Sequence, residues 1–306
     1  MADAKEVHPE AVFEKLGGPT FTAMPRTTKG GGLYFTQPGV VLLAQPVVSR
    51  SALLPFLTGF PDDLGFDAYI DDEPIGTGAE DATELIKLAG QTCYMSFGEN
   101  RTKNRDAQKY VDNILASGHG SVLEHAQFTF LLWGCDRSFT HELVRHRTGV
   151  AFSQVSQRYV DGKVLRFVER PEYQTDDVLH AWFEERIDRS AREYAAIAER
   201  LVERQLKGDT ALSGEKRTEL RKKVNQAARS CLPNETEAPI VFSGNIRALR
   251  HVCEMRASGA ADVPIREVTT RIFLAMRHIE PMLFNDYKLL ELPDGTYSVQ
   301  TSWRKV

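Results

Sequence analysis

The sequence predicts an α+β fold in which long helices pack against a central, mostly antiparallel sheet, with a helical subdomain beside it. Two apolar runs, Gly39–Val48 and Ala126–Trp133, predict strands because β-branched and aromatic residues predominate in them. Apolar residues recur at helical spacing over Asp176–Lys207, which predicts the longest helix of the chain. An Asp-Gly pair at the centre of Leu289–Gln300 predicts a terminal hairpin.

The first strand is preceded by a segment of different composition. Residues 1–38 are rich in Pro, Gly and Thr, so we expect a loosely organised N-terminal extension, with residues 39–306 forming the main domain. Pro46 places the strand at a sheet edge or ends it, because proline cannot donate to the ladder.

The remaining elements follow from hydrophobic spacing and from turn and capping residues. On the longest helix, we expect a buried stripe formed by Trp182, Ile187, Tyr194, Ile197 and Leu201. Further helices and strands are predicted at Asp81–Met95, Asn104–Ser117, Arg137–His146, Val164–Val168, Glu215–Cys231, Ile240–Ser243 and Val263–His278.

Composition limits the classes to which the chain can belong. Its 306 residues, 42% hydrophobic and 26% charged, match a globular protein of one large or two modest domains. A net charge of −4 argues against binding a long nucleic-acid backbone, so an anion site must be a local pocket. We expect no membrane span, because no run of about 18 apolar residues exists, and the acidic N-terminus lacks the apolar core of a signal peptide. The cysteines form no C-x-x-C pair, which fits reduced thiols in the cytoplasm; they are Cys93, Cys135, Cys231 and Cys253.

One stretch concentrates the polar chemistry. An Arg-His-Arg triplet, residues 145–147, stands where the helix Arg137–His146 is expected to end. A run rich in hydroxyl and amide groups follows and closes on Arg158 and Tyr159. Guanidinium groups bind phosphate oxygens in pairs, and Ser and Gln hydrogen-bond sugar or base edges, so the stretch suits a nucleotide. The alternative is a solvated basic helix end, which the helix dipole favours.

Two further segments carry grouped polar residues. In Gly118–His125, small residues beside His119 and Ser121 allow a backbone to approach a ligand closely; the alternative is an ordinary loop histidine. In Asn245–Arg256, Asn245 is a good N-cap, and Arg247 shares a helix face with the residue four positions on, His251. Arg256 lies near the opposite face at about 100° per residue, so one helix can contact two ligands.

These segments resemble the signature of the flavin-dependent thymidylate synthases. The matching elements are Arg-His-Arg followed by Ser-Gln-x-Ser-Gln-Arg-Tyr, Gly-His-x-Ser/Thr-x-x-Glu-His, an Arg-x-x-Leu-Pro element at Arg229, and the segment Asn245–Arg256. The resemblance covers roughly residues 85–287. Two departures stand out. One extra residue is implied around Thr148–Ala151, and Ala260 stands where a family His is common.

The resemblance implies roles for the matching residues. The residues expected to bind dUMP are Glu142, Arg145, Gln154, Ser156, Arg158, Arg229 and Arg256, although Arg229 alone also reads as a surface arginine at a helix end. Those expected to act directly in catalysis are Arg145, Ser156 and Arg256. Those expected to contact the flavin are Ser121, His146, Arg147, Asn245, Arg247 and His251. Those expected in the folate region are His119 and Tyr159.

The reaction implied by the resemblance is reductive methylation of dUMP to dTMP. Methylenetetrahydrofolate is the one-carbon donor, FAD the hydride carrier and NADPH the reductant, in a cytoplasmic homotetramer with sites between subunits. Preorganised guanidinium groups stabilise the negative charge that the uracil ring gains in the transition state. No protein nucleophile is required, so Ser156 is interpreted as a binding residue, and none of the four cysteines is expected to be essential.

Other classes stay open. A non-catalytic nucleotide- or RNA-binding protein would use the same arginines without flavin, although the negative net charge argues against RNA. A drifted flavoprotein of this fold would oxidise NADPH with little methylation. A zinc site is not expected, because His141 and His146 are five residues apart rather than four.

Overall fold

The architecture is α+β, as predicted, in the computed structural model. The structure describes residues 4–69, 80–98, 106–160, 162–205 and 214–303. Strands in these ranges are β1 (Lys5–Val7), β2 (Arg26–Thr27), β3 (Leu33–Phe35), β4 (Gly39–Ala44), β5 (Gln127–Trp133), β6 (Val150–Gln154), β7 (Arg166–Val168), β8 (Ile240–Asn245), β9 (Tyr287–Glu291) and β10 (Tyr297–Thr301). Helices are α1 (Pro9–Lys15), α2 (Leu54–Leu57), α3 (Asp81–Tyr94), α4 (Ala107–Ala116), α5 (Arg137–Leu143), α6 (Asp177–Gln205), α7 (Gly214–Ala228), α8 (Ile246–Arg256), α9 (Val263–Ile279) and α10 (Pro281–Phe284).

The central sheet has four antiparallel strands in the order β4-β5-β8-β6. Phe130 of β5 and Phe152 of β6 both lie opposite Phe242 of β8. The rings of Phe152 and Phe242 stack with their centroids 5.5 Å apart. This aromatic row sets the register of the three strands, because a slip of one residue would turn it to the other face.

Strand β4 lies at the edge of this sheet and is shorter than predicted. It ends at Ala44, two residues before Pro46, with an irregularity between Leu42 and Ala44. The sequence predicts that Pro46 ends the strand or marks an edge, and both outcomes are observed.

The helices α8 and α9 pack on the sheet and contribute buried residues to the main core. Ile272, Phe273 and Met276 of α9 are fully buried. Arg250 of α8 is buried too, because its guanidinium donates to both carboxylate oxygens of Asp286 at 2.8 Å.

The predicted hairpin is β9-β10. None of the helices in the described ranges has the length and apolarity needed to span a bilayer.

The N-terminal segment departs from the loose organisation expected for residues 1–38. Strand β1 pairs antiparallel with β9, and α1 buries Val12 and Phe13 in the main core. Phe21 is buried in the same core. The glycines and prolines that suggested looseness instead separate short elements, and apolar side chains between them hold the segment down. The domain boundary at residue 38 stays a prediction.

A second, smaller sheet is covered by α6. Its strands are ordered β2-β3-β7, with β3 parallel to β7. Ile187 and Tyr194 of α6 are buried, as predicted. The prediction for Trp182 is wrong, because its side chain is 60% exposed while its neighbour Phe183 is fully buried against β3 and β7. Helical spacing predicts a buried stripe, but an error of one residue in its phase rotates the stripe by about 100°.

Helices α3 and α4 agree with prediction where the structure describes them. The helix α3 ends one residue before the predicted Met95. The predicted start of α4 at Asn104 lies outside the described residues; the helix ends before Gly118, which has a left-handed backbone with φ +67°. Its Ile114 and Leu115 are buried, as predicted.

Candidate functional site

Three of the segments singled out above meet at one end of the central sheet. Gln127 at the start of β5 pairs with Asn245 at the end of β8, and Val150 at the start of β6 pairs with Gly244. The segment Gly118–His125 runs into β5, the Arg-His-Arg triplet runs into β6, and α8 begins where β8 ends. Antiparallel pairing therefore gathers segments that are far apart in sequence.

The triplet lies beyond α5 rather than in its last turn, because α5 ends at Leu143 instead of His146. The N–H groups of Arg145 and His146 donate to the carbonyls of Glu142 and Leu143 at 3.3 and 3.1 Å. These bonds span three residues and form a tight turn that leads the chain away from the helix axis. The predicted end of this helix at His146 is therefore wrong by three residues.

Arg256, the last residue of α8, joins the triplet to α5. Its Nη1 donates to Oε2 of Glu142 at 2.7 Å, and its Nη2 donates to the Glu142 carbonyl at 3.3 Å. Its Nε donates to Nε2 of His146 at 3.0 Å. A guanidinium has five N–H hydrogens, so two remain for a ligand. All three side chains are half-buried, which leaves the cluster accessible.

His146 is held neutral in this cluster. Burial, the charge of Arg256 and the neighbouring His251 lower the pKa of His146 to about 4. Because Nε2 accepts the hydrogen from Arg256, the ring proton of His146 lies on Nδ1. The His251 ring lies edge-on to His146, with centroids 5.6 Å apart. His146 thus contacts α8 at two positions, Arg256 through a hydrogen bond and His251 through its ring.

Asn245 caps α8, as predicted, and supports the turn before β6. Its Oδ1 accepts from the N–H of Ala248 at 2.9 Å, and its own N–H donates to the Gly149 carbonyl at 3.0 Å. Gly149 has φ +71°, and a Cβ there would lie 2.7 Å from the Asn245 Nδ2. The extra residue inferred around Thr148–Ala151 therefore falls in a turn that only glycine can form at this distance from Asn245.

Arg247 of α8 reaches the segment Gly118–His125. Its Nη1 donates to Oε1 of Glu124 at 2.6 Å. A Cβ on Gly120 would lie 2.9 Å from the Arg247 Nε, so this glycine permits the close approach. His119 and Ser121 are exposed in the same segment. The sequence assigns no role to Glu124. The signal that could have identified it is its place in the Gly-His-x-Ser/Thr-x-x-Glu-His element, three residues after Ser121.

Gln154, Ser156 and Arg158 follow each other at the far end of β6. Gln154 ends the strand, and Oγ of Ser156 accepts from the N–H of Arg158 at 3.4 Å. The Tyr159 ring is 61% exposed. The guanidinium of Arg158 and the ammonium of Lys222 lie 5.7 and 5.3 Å from its centroid, within the range of cation–π contacts.

Arg229 lies on this far side as well. It begins the 3₁₀ turn after α7. The pKa of Arg137, in the first turn of α5, is lowered first by burial and second by the positive charge of Arg229. The connection from Arg229 leads to β8, whose Ile240 pairs with Gln154. Arg229 is therefore near the start of α5, whereas Arg256 contacts Glu142 near its end.

Within one chain, the candidate residues form two groups at opposite ends of β6. The strand rises about 3.4 Å per residue, so its ends are roughly 14 Å apart. The first group, beside the start of β6, comprises His119, Ser121, Glu142, Arg145, His146, Arg147, Asn245, Arg247, His251 and Arg256. The second group, at its far end, comprises Gln154, Ser156, Arg158, Tyr159 and Arg229.

The donors of the first group fit a cofactor that carries phosphate and ring nitrogens. Arg247 and His251 are exposed on one face of α8, and Gly120 of the glycine-rich segment approaches Arg247 closely. Guanidinium and backbone N–H groups are the usual ligands of a pyrophosphate. Asn245 accepts the capping bond with its oxygen, and its Nδ2 is the group that can donate to a ligand. No group of three or more His, Cys, Asp or Glu side chains within the described ranges is arranged to hold a metal ion.

Comparison with known proteins identifies a matching family. The family model described as "Thymidylate synthase complementing protein" matches residues 77–282, about two-thirds of the chain. The flavin-dependent thymidylate synthase of Mycobacterium sp. (strain JLS) is 40% identical over 225 residues, covering 74% of this chain and 87% of that protein. The protein of the same name from Mycolicibacterium gilvum (strain PYR-GCK) is 39% identical over 220 residues, covering 72% and 85%.

A similar solved structure supports the fold. The UMP/dUMP methylase PolB from Streptomyces cacaoi, bound with 5-Br dUMP, aligns with a TM-score of 0.50. The alignment covers 82% of this chain and 94% of that chain at 18% identity. At this level of identity, the likeness concerns the architecture alone.

Proposed function

The chain belongs to the family of flavin-dependent thymidylate synthases, and we propose that it catalyses the reductive methylation of dUMP to dTMP. We propose FAD as the flavin, NADPH as the reductant and methylenetetrahydrofolate as the one-carbon donor. The observation that carries the proposal is the contact of Arg256 with Glu142 and His146. This contact joins the Arg-His-Arg triplet to the end of α8, two elements of the family signature.

In the proposed reaction, the arginines bind dUMP and stabilise charge. Arg256 has two guanidinium hydrogens left for the nucleotide after its bonds to Glu142 and His146. A positive charge preorganised in this way favours the transition state, in which the uracil ring gains negative charge. Ser156 serves as a hydrogen-bonding group rather than a nucleophile. The other residues proposed to bind dUMP are Arg145, Gln154, Arg158 and Arg229.

The residues around the start of α8 are proposed to hold the flavin. Once bound and reduced, the flavin supplies the hydride. Arg247 is oriented by Glu124, and neutral His146 offers its Nδ1–H without adding charge. Ser121, Arg147, Asn245 and His251 complete the proposed flavin set. His119 and Tyr159 are proposed for the folate region.

We further propose a cytoplasmic homotetramer whose active sites form between subunits. In one chain, the group around Arg256 and the group around Ser156 lie at opposite ends of β6. A single nucleotide is surrounded by both groups only if a second copy contributes one of them. Arg145 and Arg147 are exposed, so they are available to such a partner.

Product formation tests the proposal directly. The purified protein is incubated with dUMP, methylenetetrahydrofolate, NADPH and FAD, and dTMP is measured by chromatography. We expect dTMP only when all four are present, and we expect its loss in Arg256→Ala. Arg200→Ala removes an arginine that is exposed on α6 and is the matched control, which should keep activity.

Two results would contradict the proposal. Bound FAD and NADPH oxidation that does not depend on dUMP, without dTMP, would indicate a drifted flavoprotein. Neither flavin binding nor dTMP would indicate a nucleotide-binding protein without this activity.

A further inference from the structure

A cavity of about 450 Å³ lies behind the turn that follows β6. Two of its wall residues, Val155 and Gln157, alternate with Ser156 and Arg158, which do not line it. The N–H groups of Tyr159 and Val160 donate to the Ser156 carbonyl at 3.1 and 3.2 Å, so the chain turns here beside the cavity. None of the second group of candidate residues lines the cavity, so the cavity is distinct from that group although the same segment borders both.

The wall of the cavity is mainly apolar. Val155 and Val160 come from the turn after β6, Leu232 from the connection before β8, and Tyr194 from α6. Leu33, at the start of the middle strand β3 of the small sheet, is partly exposed at the same cavity. The volume lies within the range of about 300–1,000 Å³ typical of sites for small organic ligands.

One polar atom in this wall has no partner. The Nε2 of Gln157 is buried and makes no hydrogen bond within the part of the chain that the structure describes. Buried donors are nearly always satisfied, because an unpaired one costs desolvation energy. An unpaired amide N–H in an apolar cavity marks the place where a ligand acceptor would bind.

The charges in the wall cancel. Arg166 and Glu237 both line the cavity, and the Arg166 Nε donates to Oε2 of Glu237 at 2.5 Å. Neither charge is left to compensate an ionic ligand, and burying an unpaired charge is costly. The occupant is therefore uncharged, which separates it from dUMP, FAD and folates.

We propose that this cavity is a second ligand site, which binds an uncharged, largely apolar organic molecule with one hydrogen-bond acceptor. The acceptor binds the hydrogen of the Gln157 amide, and the apolar part of the molecule packs between Val160, Leu232 and Tyr194. The inference goes beyond the proposed function and does not depend on it. A ligand here packs against the same segment that carries Ser156 and Arg158.

The solvent-sensitive dye prodan, an uncharged aminonaphthalene ketone, is a suitable probe. It is titrated into the full-length protein with FAD and dUMP at saturation, and the blue-shifted emission is recorded. We expect one saturable site per chain. Val160→Trp places a larger side chain in the wall of the cavity and should abolish this binding, whereas Val178→Trp makes the same change at an exposed position of α6 outside the wall and should not.

A second variant tests the hydrogen bond. Gln157→Leu keeps the bulk but removes the donor, and we expect affinity to fall about fivefold, as for the loss of one neutral hydrogen bond. Thermal melts of each variant check that it folds. The proposal is overturned if prodan does not bind, if dUMP or FAD displaces it, or if both cavity variants bind it like the parent protein.

Discussion

The Nε of Arg256 donates to the Nε2 of His146 at 3.0 Å, although the two residues are 110 positions apart in sequence. The bond fixes which ring nitrogen of His146 carries the proton, and it holds the Nε edge of the Arg256 guanidinium in position. Glu142 accepts from the same guanidinium through its side chain and its carbonyl. Arg256 is thus oriented by two elements before any ligand binds, and such preorganisation is what charge stabilisation in an active site requires.

Removing Arg256 should raise the pKa of His146. The pKa of His146 is lowered to about 4 by burial first, and by the charge of Arg256 second. In Arg256→Ala the second cause is gone, so the pKa should move up toward its ordinary value. Titration of the His146 ring protons by NMR measures this, with Arg200→Ala as the unchanged control. An unaltered pKa would show that Arg256 does not act on the ring.

The same histidine should make stability depend on pH. Between pH 6.5 and about pH 4, the unfolded chain binds a proton at His146 that the folded chain does not. The free energy of unfolding should therefore fall as the pH is lowered through this window. In His146→Gln, which keeps an acceptor for Arg256, this part of the slope should vanish. Urea denaturation at several pH values provides the comparison, and equal slopes would refute the assignment.

Two arginines of α8 should affect different ligands. Arg247 contacts Glu124 and Gly120, whereas Arg256 contacts Glu142 and His146. We expect Arg247→Ala to weaken FAD about 10- to 100-fold, and Arg256→Ala to weaken dUMP by a similar factor, as for bonds to charged groups. Flavin fluorescence and calorimetry with dUMP measure the two affinities. If each variant loses both ligands equally, the proposed division is wrong.

Gly149 should be intolerant of a side chain. It has φ +71°, and a Cβ would lie 2.7 Å from Nδ2 of Asn245, the cap of α8. Gly149→Ala should lower the free energy of unfolding by about 2–4 kcal/mol, from backbone strain and a disturbed cap. Gly118→Ala is the control, since its φ is +67° but a Cβ there would meet no atom within 4 Å. Denaturant melts of Gly118→Ala should show that the free energy of unfolding falls by only about 1–2 kcal/mol. An equal fall in both variants would exclude a clash between the new Cβ at position 149 and Asn245.

The cysteines should not be needed for turnover. Burial holds the pKa of Cys135 well above its ordinary value and raises the pKa of Cys253 to about 12, so neither forms the reactive thiolate at neutral pH. Iodoacetamide should label exposed Cys93 first and leave the two buried thiols unlabelled. Mass spectrometry locates the label. Loss of dTMP formation in a folded Cys93→Ser or Cys231→Ser variant would contradict the prediction.

Local sequence was sufficient for most elements and for the polar segments of the candidate site. The cap at Asn245, the helix stop at Gly118 and the terminal hairpin depend on a few neighbouring residues, so patterns of caps, turns and spacing predict them. The family signature also picked out Arg256 and His146, which the folded chain brings into contact.

Only the tertiary structure decided the rest. The start of β6 lies beside the end of β8, and this register brings His146 to Arg256. Trp182 faces solvent although its spacing predicts burial. Lys87 is buried, and its Nζ has no hydrogen-bond partner among the described residues, which local spacing does not predict. The physical reason is that strand register and burial depend on contacts between distant segments, whereas the periodicity of one segment predicts a face without saying what will cover it.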